Sequence, residues 1–270
     1  ACNLRCRMCP QPPESDNEVY HKDNLRTLEL LTVKELHLIG ITGGEPFLFP
    51  DRVIEYFKII NRKFPTAEVE ILTNATLLEK FEVAKKVALE APLKTTFCVS
   101  LHADTARCYE YINQRTGSFE KTIRGIESLA KLHQSIEIRP VITAANAAFL
   151  EDIARFIYRN FPYVTHVAFM GQEIVGDAVL NLKDIWVEPI HYVSNLCRAT
   201  TLLSDSGLFV SIYNLPLCLL PESHHKFAAR SISDWKQEYS ETCSICKKKD
   251  QCCGFFTTSE SHIPMGIHAL

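Results

Sequence analysis

The stretch Ala1-Cys2-Asn3-Leu4-Arg5-Cys6-Arg7-Met8-Cys9-Pro10 places three cysteines close together, in the spacing C-x3-C-x2-C. Cysteine thiolates are the usual ligands of iron–sulfur clusters. A [4Fe–4S] cluster has four irons, so three cysteines leave one iron open to chelate a small molecule. Zinc is the competing metal, but a zinc site needs a fourth ligand nearby, and this is not its common spacing. The stretch therefore favours an iron–sulfur cluster held by Cys2, Cys6 and Cys9.

The cysteine count supports a metal protein. The chain has 11 cysteines in 270 residues, and most of them fall near its two ends. In a reducing compartment, clustered cysteines indicate metal binding rather than disulfides. The scattered Cys98, Cys108 and Cys197 are expected to be small buried hydrophobic residues.

The composition is that of an ordinary globular protein, with 46% hydrophobic and 23% charged residues. The net charge of −3 provides no basic field for nucleic acid. No apolar run approaches the ~20 residues that cross a bilayer. We therefore expect a cytoplasmic protein without nucleic-acid or membrane partners.

Short apolar runs alternate with amphipathic stretches along most of the chain, which predicts βαβ units and a parallel sheet. The predicted helices include residues 25–34, 52–64, 77–91 and 189–203. The predicted strands are residues 36–41, 69–73, 95–101, 136–143 and 166–170. A strand before Cys2 would make six but lies outside the chain, and residues 207–213 are a candidate for one more. The expected fold is an α/β partial (β/α)6 barrel.

The predicted division places the barrel at residues 1–205 and a small Cys-rich extension at residues 206–270. In the extension we expect a short helix at residues 231–239, with a capping box formed by Ser231 and Asp234.

Parallel sheets bind ligands at the C-terminal ends of their strands. Polar residues follow several predicted strands at that end. The turn Gly43-Gly44-Glu45-Pro46 lets the backbone approach a ligand, and Glu45 is suited to bind a cationic amine. Two other polar residues at this end have structural roles as alternatives. Asn74 is of a type common in turns, and His102 is equally suited to a structural role.

The cysteine spacing, followed by a strand that ends in Gly43-Gly44-Glu45-Pro46, resembles the radical S-adenosylmethionine (SAM) superfamily over residues 2–173. The resemblance implies that the open iron takes the amino and carboxyl groups of SAM. It also implies that Gly43, Gly44 and Glu45 hold the methionyl amine. Met8 stands where the family usually has an aromatic residue beside the adenine. Further contacts with SAM are implied at the strand ends, from Thr73, Asn74, Ser100, His102, Arg139 and Met170.

The resemblance implies a reaction as well. One electron passes from the reduced cluster to SAM, the C5′–S bond breaks, and a 5′-deoxyadenosyl radical removes hydrogen from the substrate. The electron would come from a flavodoxin-like or ferredoxin-like donor. We assign no side chain a catalytic role, because the cofactor carries the difficult step.

Four later cysteines form a second candidate metal site: Cys218, Cys243, Cys246 and Cys252. Zinc and an auxiliary [4Fe–4S] cluster both fit four thiolates. The spacing C-x2-C-x5-C is similar to the core of the SPASM and Twitch extensions, which implies one auxiliary cluster. The role of the adjacent Cys253 stays open.

A closer resemblance is to the radical SAM maturases of His-Xaa-Ser systems. It depends on C-N-L-R-C-R-M-C-P-Q-P-P at residues 2–13, F-M-G-Q-E at 169–173, N-L-P-L-C at 214–218 and S-I-S-D-W at 231–235. The resemblance implies a ribosomally made peptide substrate with His-Xaa-Ser repeats and a second radical SAM protein as partner. The sequence therefore predicts a peptide-modifying radical SAM enzyme. Two alternatives are a radical SAM enzyme acting on a small molecule or RNA base, and a non-enzymatic scaffold stapled by zinc.

Overall fold

The computed structural model describes residues 1–11, 18–33, 36–259 and 262–270. Residues 12, 13 and 34, which belong to the predicted motif and first helix, lie outside these ranges. The chain divides into two compact units. The first unit comprises Ala1–Arg5, Pro13–Ser100 and Arg115–Glu137, and the second comprises Cys6–Pro12, Leu101–Gln114 and Ile138–Leu270.

Six strands follow one another in the main sheet in chain order. They are β1 (Leu38–Ile41), β2 (Glu68–Thr73), β3 (Thr95–Val99), β4 (Ser135–Ile138), β5 (His166–Met170) and β6 (Phe209–Tyr213). The helices are α1 (Glu18–Leu30), α2 (Pro50–Lys63), α3 (Phe81–Glu90), α4 (Ala106–Asn113), α5 (Ser118–Lys131), α6 (Leu150–Asn160), α7 (Asp177–Leu180), α8 (Leu182–Ile185) and α9 (Pro189–Asp205). No helix in the described part of the chain is long and apolar enough to cross a membrane.

In the first unit, β1 pairs in parallel with β2, and β2 pairs in parallel with β3. Helix α2 begins with Pro50 in its first turn and ends with Arg62 and Lys63, which suits the direction of the helix dipole. Its buried residues recur at helical spacing and include Phe57 and Ile60, both fully buried. The unit therefore has an apolar core to which α2 contributes.

In the second unit, β5 and β6 are parallel, with Met170 opposite Tyr213. Helix α6 packs against α9, and the buried residues of α6 include Ile153 and Ile157. A separate two-stranded antiparallel sheet joins β7 (Gln237–Glu238) to β8 (Phe255–Phe256).

The predicted alternation of parallel strands and helices is confirmed, but the first helix spans Glu18–Leu30 rather than residues 25–34, and two details of the extension are wrong. The predicted helix at residues 231–239 is a short 3₁₀ turn, Asp234–Lys236, followed by β7. The capping box is also wrong, because Ser233 precedes this turn and the Ser231 hydroxyl donates to Asn214 Oδ1 at 2.8 Å. The sheet continues to Tyr213, while the division at residue 205 stays a prediction.

Candidate active site

The turn after β1 lies against the first residues of the chain, within the first unit. Glu45 N–H donates to the Ala1 carbonyl at 2.9 Å. A side chain at Gly44 would place its Cβ 1.9 Å from that oxygen, an impossible distance. Gly44 is therefore required because the backbone that leads into Cys2 occupies the space of a side chain.

The Glu45 carboxylate is buried and accepts three hydrogen bonds. Its donors are the Thr73 hydroxyl at 2.7 Å, Asn74 N–H at 2.8 Å and Phe47 N–H at 3.1 Å. A carboxylate offers about four lone-pair sites, so roughly one acceptor site remains. Burial raises the Glu45 pKa to about 7, and the three hydrogen bonds act in the opposite direction. A cation at this carboxylate would stabilise its ionised form.

Asn74 links this carboxylate to Cys2. Its side-chain amide donates to Asn3 Oδ1 at 2.9 Å and lies 3.9 Å from Cys2 Sγ. Its side-chain oxygen accepts from Thr76, and its main-chain carbonyl accepts from Thr122 at 2.9 Å. Asn74 therefore positions the first cysteine, in addition to forming a turn.

A backbone hydrogen bond favours the thiolate of Cys2, whereas its burial opposes ionisation. Leu4 N–H donates to Cys2 Sγ at 3.4 Å, and burial raises the pKa of the free thiol. A bound metal stabilises the thiolate and offsets that cost. Ser100 is joined to the same strand end, since its N–H donates to the Thr73 carbonyl at 3.0 Å.

In the second unit, the loop that carries Cys6 and Cys9 is fixed to the end of α4. Arg7 N–H donates to the Ile112 carbonyl at 2.9 Å, and Arg7 Nε donates to the Tyr111 carbonyl at 3.1 Å. The Arg7 guanidinium also lies 4.4 Å from the centre of the Tyr111 ring. These contacts use the carbonyl groups that a helix C-terminus leaves without partners.

The other side of this loop contacts the segment before α7. Asp177 N–H donates to the Cys9 carbonyl at 3.0 Å. Gly176 has a left-handed φ of +62°, and a Cβ there would lie 2.6 Å from the Pro10 carbonyl oxygen. The loop therefore requires a glycine at position 176, which the sequence alone did not signal.

The two sulfurs of this loop are half-buried and form no disulfide. Cys6 Sγ donates to Asn113 Oδ1 at 3.2 Å, and Cys9 Sγ donates to the Gln11 carbonyl at 2.7 Å. Asn113 Nδ2 is buried and has no hydrogen-bond partner among the described residues. Accessible thiols and an unused amide donor beside one of them fit an iron–sulfur cluster.

Met8 packs in an apolar cluster of the second unit with Ile112, Ala178 and Ile185, and only 7% of it is exposed. This packing explains why the Met8 side chain is buried. The predicted contact with the adenine of SAM stays a prediction.

His102 is buried among protein partners. Its Nδ1 accepts from Val141 N–H at 3.1 Å, and its ring stacks on Tyr109 with the centroids 6.0 Å apart. Burial lowers the His102 pKa to about 4, so the ring is neutral near pH 7. These contacts favour the structural interpretation of this residue.

Arg139 and Met170 also lie in the second unit. The Arg139 guanidinium is 5.8 Å from the centre of the Tyr213 ring. The main chain of Met170 donates to the Pro140 carbonyl and accepts from Ile142 N–H, both at 2.9 Å. The contacts of Arg139 and Met170 with SAM stay predictions.

The four later cysteines line one cavity of the second unit, together with Tyr239, Phe255 and His268. Backbone donors point at two of the sulfurs. Leu217 N–H donates to Cys252 Sγ, and Leu270 N–H donates to Cys246 Sγ, each at 3.4 Å. Such N–H···S contacts stabilise thiolates.

Cys252 and Cys253 differ sharply in their environments. A hydrogen bond from the Cys253 thiol, followed by backbone donors, lowers the pKa of Cys252 to about 6. The same pairing and burial raise the pKa of Cys253. Cys252 lines the cavity and accepts from Leu217 N–H, whereas Cys253 is buried in an apolar cluster with Ile232 and Phe256, which favours Cys252 as the ligand of the pair.

One further group was missed by the sequence analysis. Ligand atoms of Glu70, Cys98 and Glu137, on β2, β3 and β4 of the first unit, lie within 4.8 Å of one another. Cys98 is buried as expected, but it faces carboxylates on neighbouring strands.

Comparison with known proteins identifies the family and the fold. A family model described as the Radical SAM superfamily matches residues 1–174. The structure of anSMEcpe with bound AdoMet matches with a TM-score of 0.59 and 20% identity, over 78% of this chain and 60% of that one. This likeness confirms the partial-barrel α/β fold.

Two curated relatives differ in what their names say they do. A GTP 3′,8-cyclase of Alkaliphilus oremlandii is 29% identical over 226 residues, covering 80% of this chain and 67% of that protein. The antilisterial bacteriocin subtilosin biosynthesis protein AlbA of Bacillus subtilis is 25% identical over 158 residues, covering 57% of this chain and 34% of that protein. The chain thus spans about two thirds of the length of the GTP 3′,8-cyclase and about a third of the length of AlbA.

The contact at Gly176 predicts the behaviour of a substitution. Gly176→Ala should lower the iron bound per chain by at least about half after anaerobic reconstitution, because the new methyl group displaces the backbone at Cys9 and Pro10. Gly207→Ala is the matched control, since Gly207 also has a positive φ of +84° but nothing within 4 Å of the Cβ position. Equal iron content in the two variants would contradict this explanation.

The buried Glu45 predicts a pH dependence of stability. Its folded pKa of about 7 exceeds the ordinary value of 4.5, so its contribution is full below pH 4.5 and is lost as pH rises through 7. Between pH 4.5 and 8, wild-type apoprotein should lose about 3 kcal/mol of unfolding free energy relative to Glu45→Gln. Urea unfolding across this range measures the difference, with Glu82→Gln as an exposed control. A constant difference would show that the carboxylate ionises normally.

Proposed function

The chain belongs to the radical SAM superfamily, and we propose that it cleaves SAM reductively to modify a ribosomally made peptide. The observation that carries the proposal is the contact between the turn and the first cysteine. Gly44 and Glu45 lie against the backbone that leads into Cys2, and Asn74 contacts both Glu45 and Cys2. A SAM amine held at this turn would therefore lie beside a cysteine ligand.

When bound, a [4Fe–4S] cluster supplies the electron that cleaves SAM to a 5′-deoxyadenosyl radical, and this radical removes hydrogen from the substrate. Cys2, Cys6 and Cys9 would hold that cluster. Glu45 retains about one acceptor site for the methionyl ammonium. Gly43 has no side chain, so the backbone of the turn would be open to SAM at this position. Arg139 would pair with the SAM carboxylate. Thr73, Asn74 and Ser100 would contact the ribose, and Met8 and Met170 would pack near the adenine.

The Cys-rich extension would hold a second, auxiliary cluster. Cys218, Cys243, Cys246 and Cys252 would be its ligands, which their shared cavity and the backbone donors support. Zinc is the alternative metal. Iron and zinc analysis of the reconstituted protein distinguishes the two, with about eight irons per chain expected for two clusters.

A peptide substrate is supported by the similarity to AlbA, whose name places it in the biosynthesis of a bacteriocin. The finer assignment, to a peptide with His-Xaa-Ser repeats and a second radical SAM protein as partner, depends on the motif resemblance at residues 169–173, 214–218 and 231–235. A flavodoxin-like or ferredoxin-like protein would donate the electron, and the cytoplasm would be the compartment.

The second candidate substrate is a small molecule. The GTP 3′,8-cyclase relative matches with higher identity and over more of this chain than AlbA does. A nucleotide is therefore the specific competitor to a peptide.

One assay distinguishes these substrates. Reconstituted protein with SAM and dithionite is incubated with a His-Xaa-Ser peptide or with GTP, and 5′-deoxyadenosine and product mass are measured. We expect the peptide, and not GTP, to raise 5′-deoxyadenosine formation at least about tenfold and to lose hydrogen. Cys2→Ala should abolish the reaction, and Cys197→Ala should not. Turnover of GTP alone would assign the chain to the small-molecule class.

A further inference from the structure

Among the described residues, the side-chain oxygen of Asn113 has a hydrogen-bond partner and the side-chain nitrogen has none. Asn113 is the last residue of α4 and is completely buried. Its Oδ1 accepts from the Cys6 thiol at 3.2 Å, while Nδ2 has no partner among the described residues. Buried polar groups are nearly always hydrogen-bonded, so an unused buried donor beside a candidate metal ligand requires a reason.

The surroundings hold Asn113 firmly in this position. The carbonyls of Tyr111 and Ile112, the two residues before it, accept from Arg7 in the cysteine loop. Gln114, the residue after it, takes a left-handed φ of 53° and donates to the Glu110 carbonyl, which ends the helix. The main chain on both sides of Asn113 is thus hydrogen-bonded, which places its side chain beside Cys6.

The chemistry of Cys6 decides which end of the amide faces it. A free thiol donates its proton to Oδ1. A cysteine bound to iron is a thiolate, which has no proton to donate and accepts hydrogen bonds instead. Oδ1 would then face the thiolate sulfur with no proton between them, and two hydrogen-bond acceptors repel each other. A half-turn of the amide exchanges its oxygen and nitrogen, which have nearly the same shape, and places Nδ2–H on the sulfur.

We propose that Asn113 is a positioning residue for the SAM-binding cluster, which donates Nδ2–H to Cys6 Sγ and thereby raises the cluster's reduction potential. Hydrogen bonds to cysteine sulfur withdraw charge from the cluster and favour its reduced state. The carbonyl end of α4 provides a negative partial charge with the opposite effect. The inference rests on the proposed function, because it requires Cys6 to be an iron ligand.

Two substitutions isolate the donor. Asn113→Leu keeps a similar volume without a hydrogen-bonding group, and Asn113→Asp keeps the shape but replaces the donor with an acceptor. Asn160→Leu is the matched control, because Asn160 is likewise the last residue of its helix, α6, but its amide donates to the Phe156 carbonyl. The variants are made in the full chain and reconstituted anaerobically.

The readout is the reduction potential of the cluster whose EPR spectrum changes on addition of SAM, measured by redox titration. We expect this potential to become more negative in Asn113→Leu and more negative still in Asn113→Asp. It should be unchanged in Asn160→Leu, and any other iron–sulfur signal should keep its potential in all three.

The outcomes separate this inference from the proposed function. Unchanged potentials in both Asn113 variants, with the parent cluster responding normally to SAM, would overturn the inference alone. If Asn113→Leu fails to retain iron, the reduction potential of Asn113→Asp alone tests the inference, because aspartate preserves the shape of the side chain. A parent protein without a SAM-responsive cluster would overturn the proposed function, and the inference with it.

Discussion

The buried carboxylate of Glu45 holds together pieces of the first unit that are distant in sequence. It accepts from the residue after its own turn, Phe47, and from the end of β2 at Thr73 and Asn74. Asn74 in turn contacts Asn3 and Cys2. Burying a carboxylate is costly unless it is hydrogen-bonded or paired with a cation. The same group that organises the turn is therefore suited to a cationic ligand.

The fold was predictable, because it depends on local patterns. Apolar periodicity located β5 at its observed bounds, and cysteine spacing identified both sets of candidate ligands. Helix α4 was missed, since only Tyr109, Ile112 and Asn113 are buried in a short, polar segment. The role of Gly44 was predicted as ligand access, whereas its neighbour in the structure is Ala1. Close approaches between distant segments leave no local signal.

Asn113 and Gly176 show the same limit at the cysteine loop. Each contacts that loop across a long sequence separation, and neither belongs to a recognisable motif. The group formed by Glu70, Cys98 and Glu137 is different, because strand alternation and neighbouring strand order could have placed the three side chains together. Strand pairing, rather than spacing in sequence, determines which donors meet.

Three cysteine ligands leave one iron of the proposed cluster open, and SAM would occupy it. The most direct measurement is electron–nuclear double resonance of the reduced, reconstituted protein with SAM labelled by ¹⁵N at its amine and ¹⁷O at its carboxylate. We expect hyperfine coupling from both labels to the cluster, and loss of both when Cys6 is replaced by alanine. A cluster spectrum that shows neither coupling, with SAM present in excess, would show that SAM does not occupy the open iron.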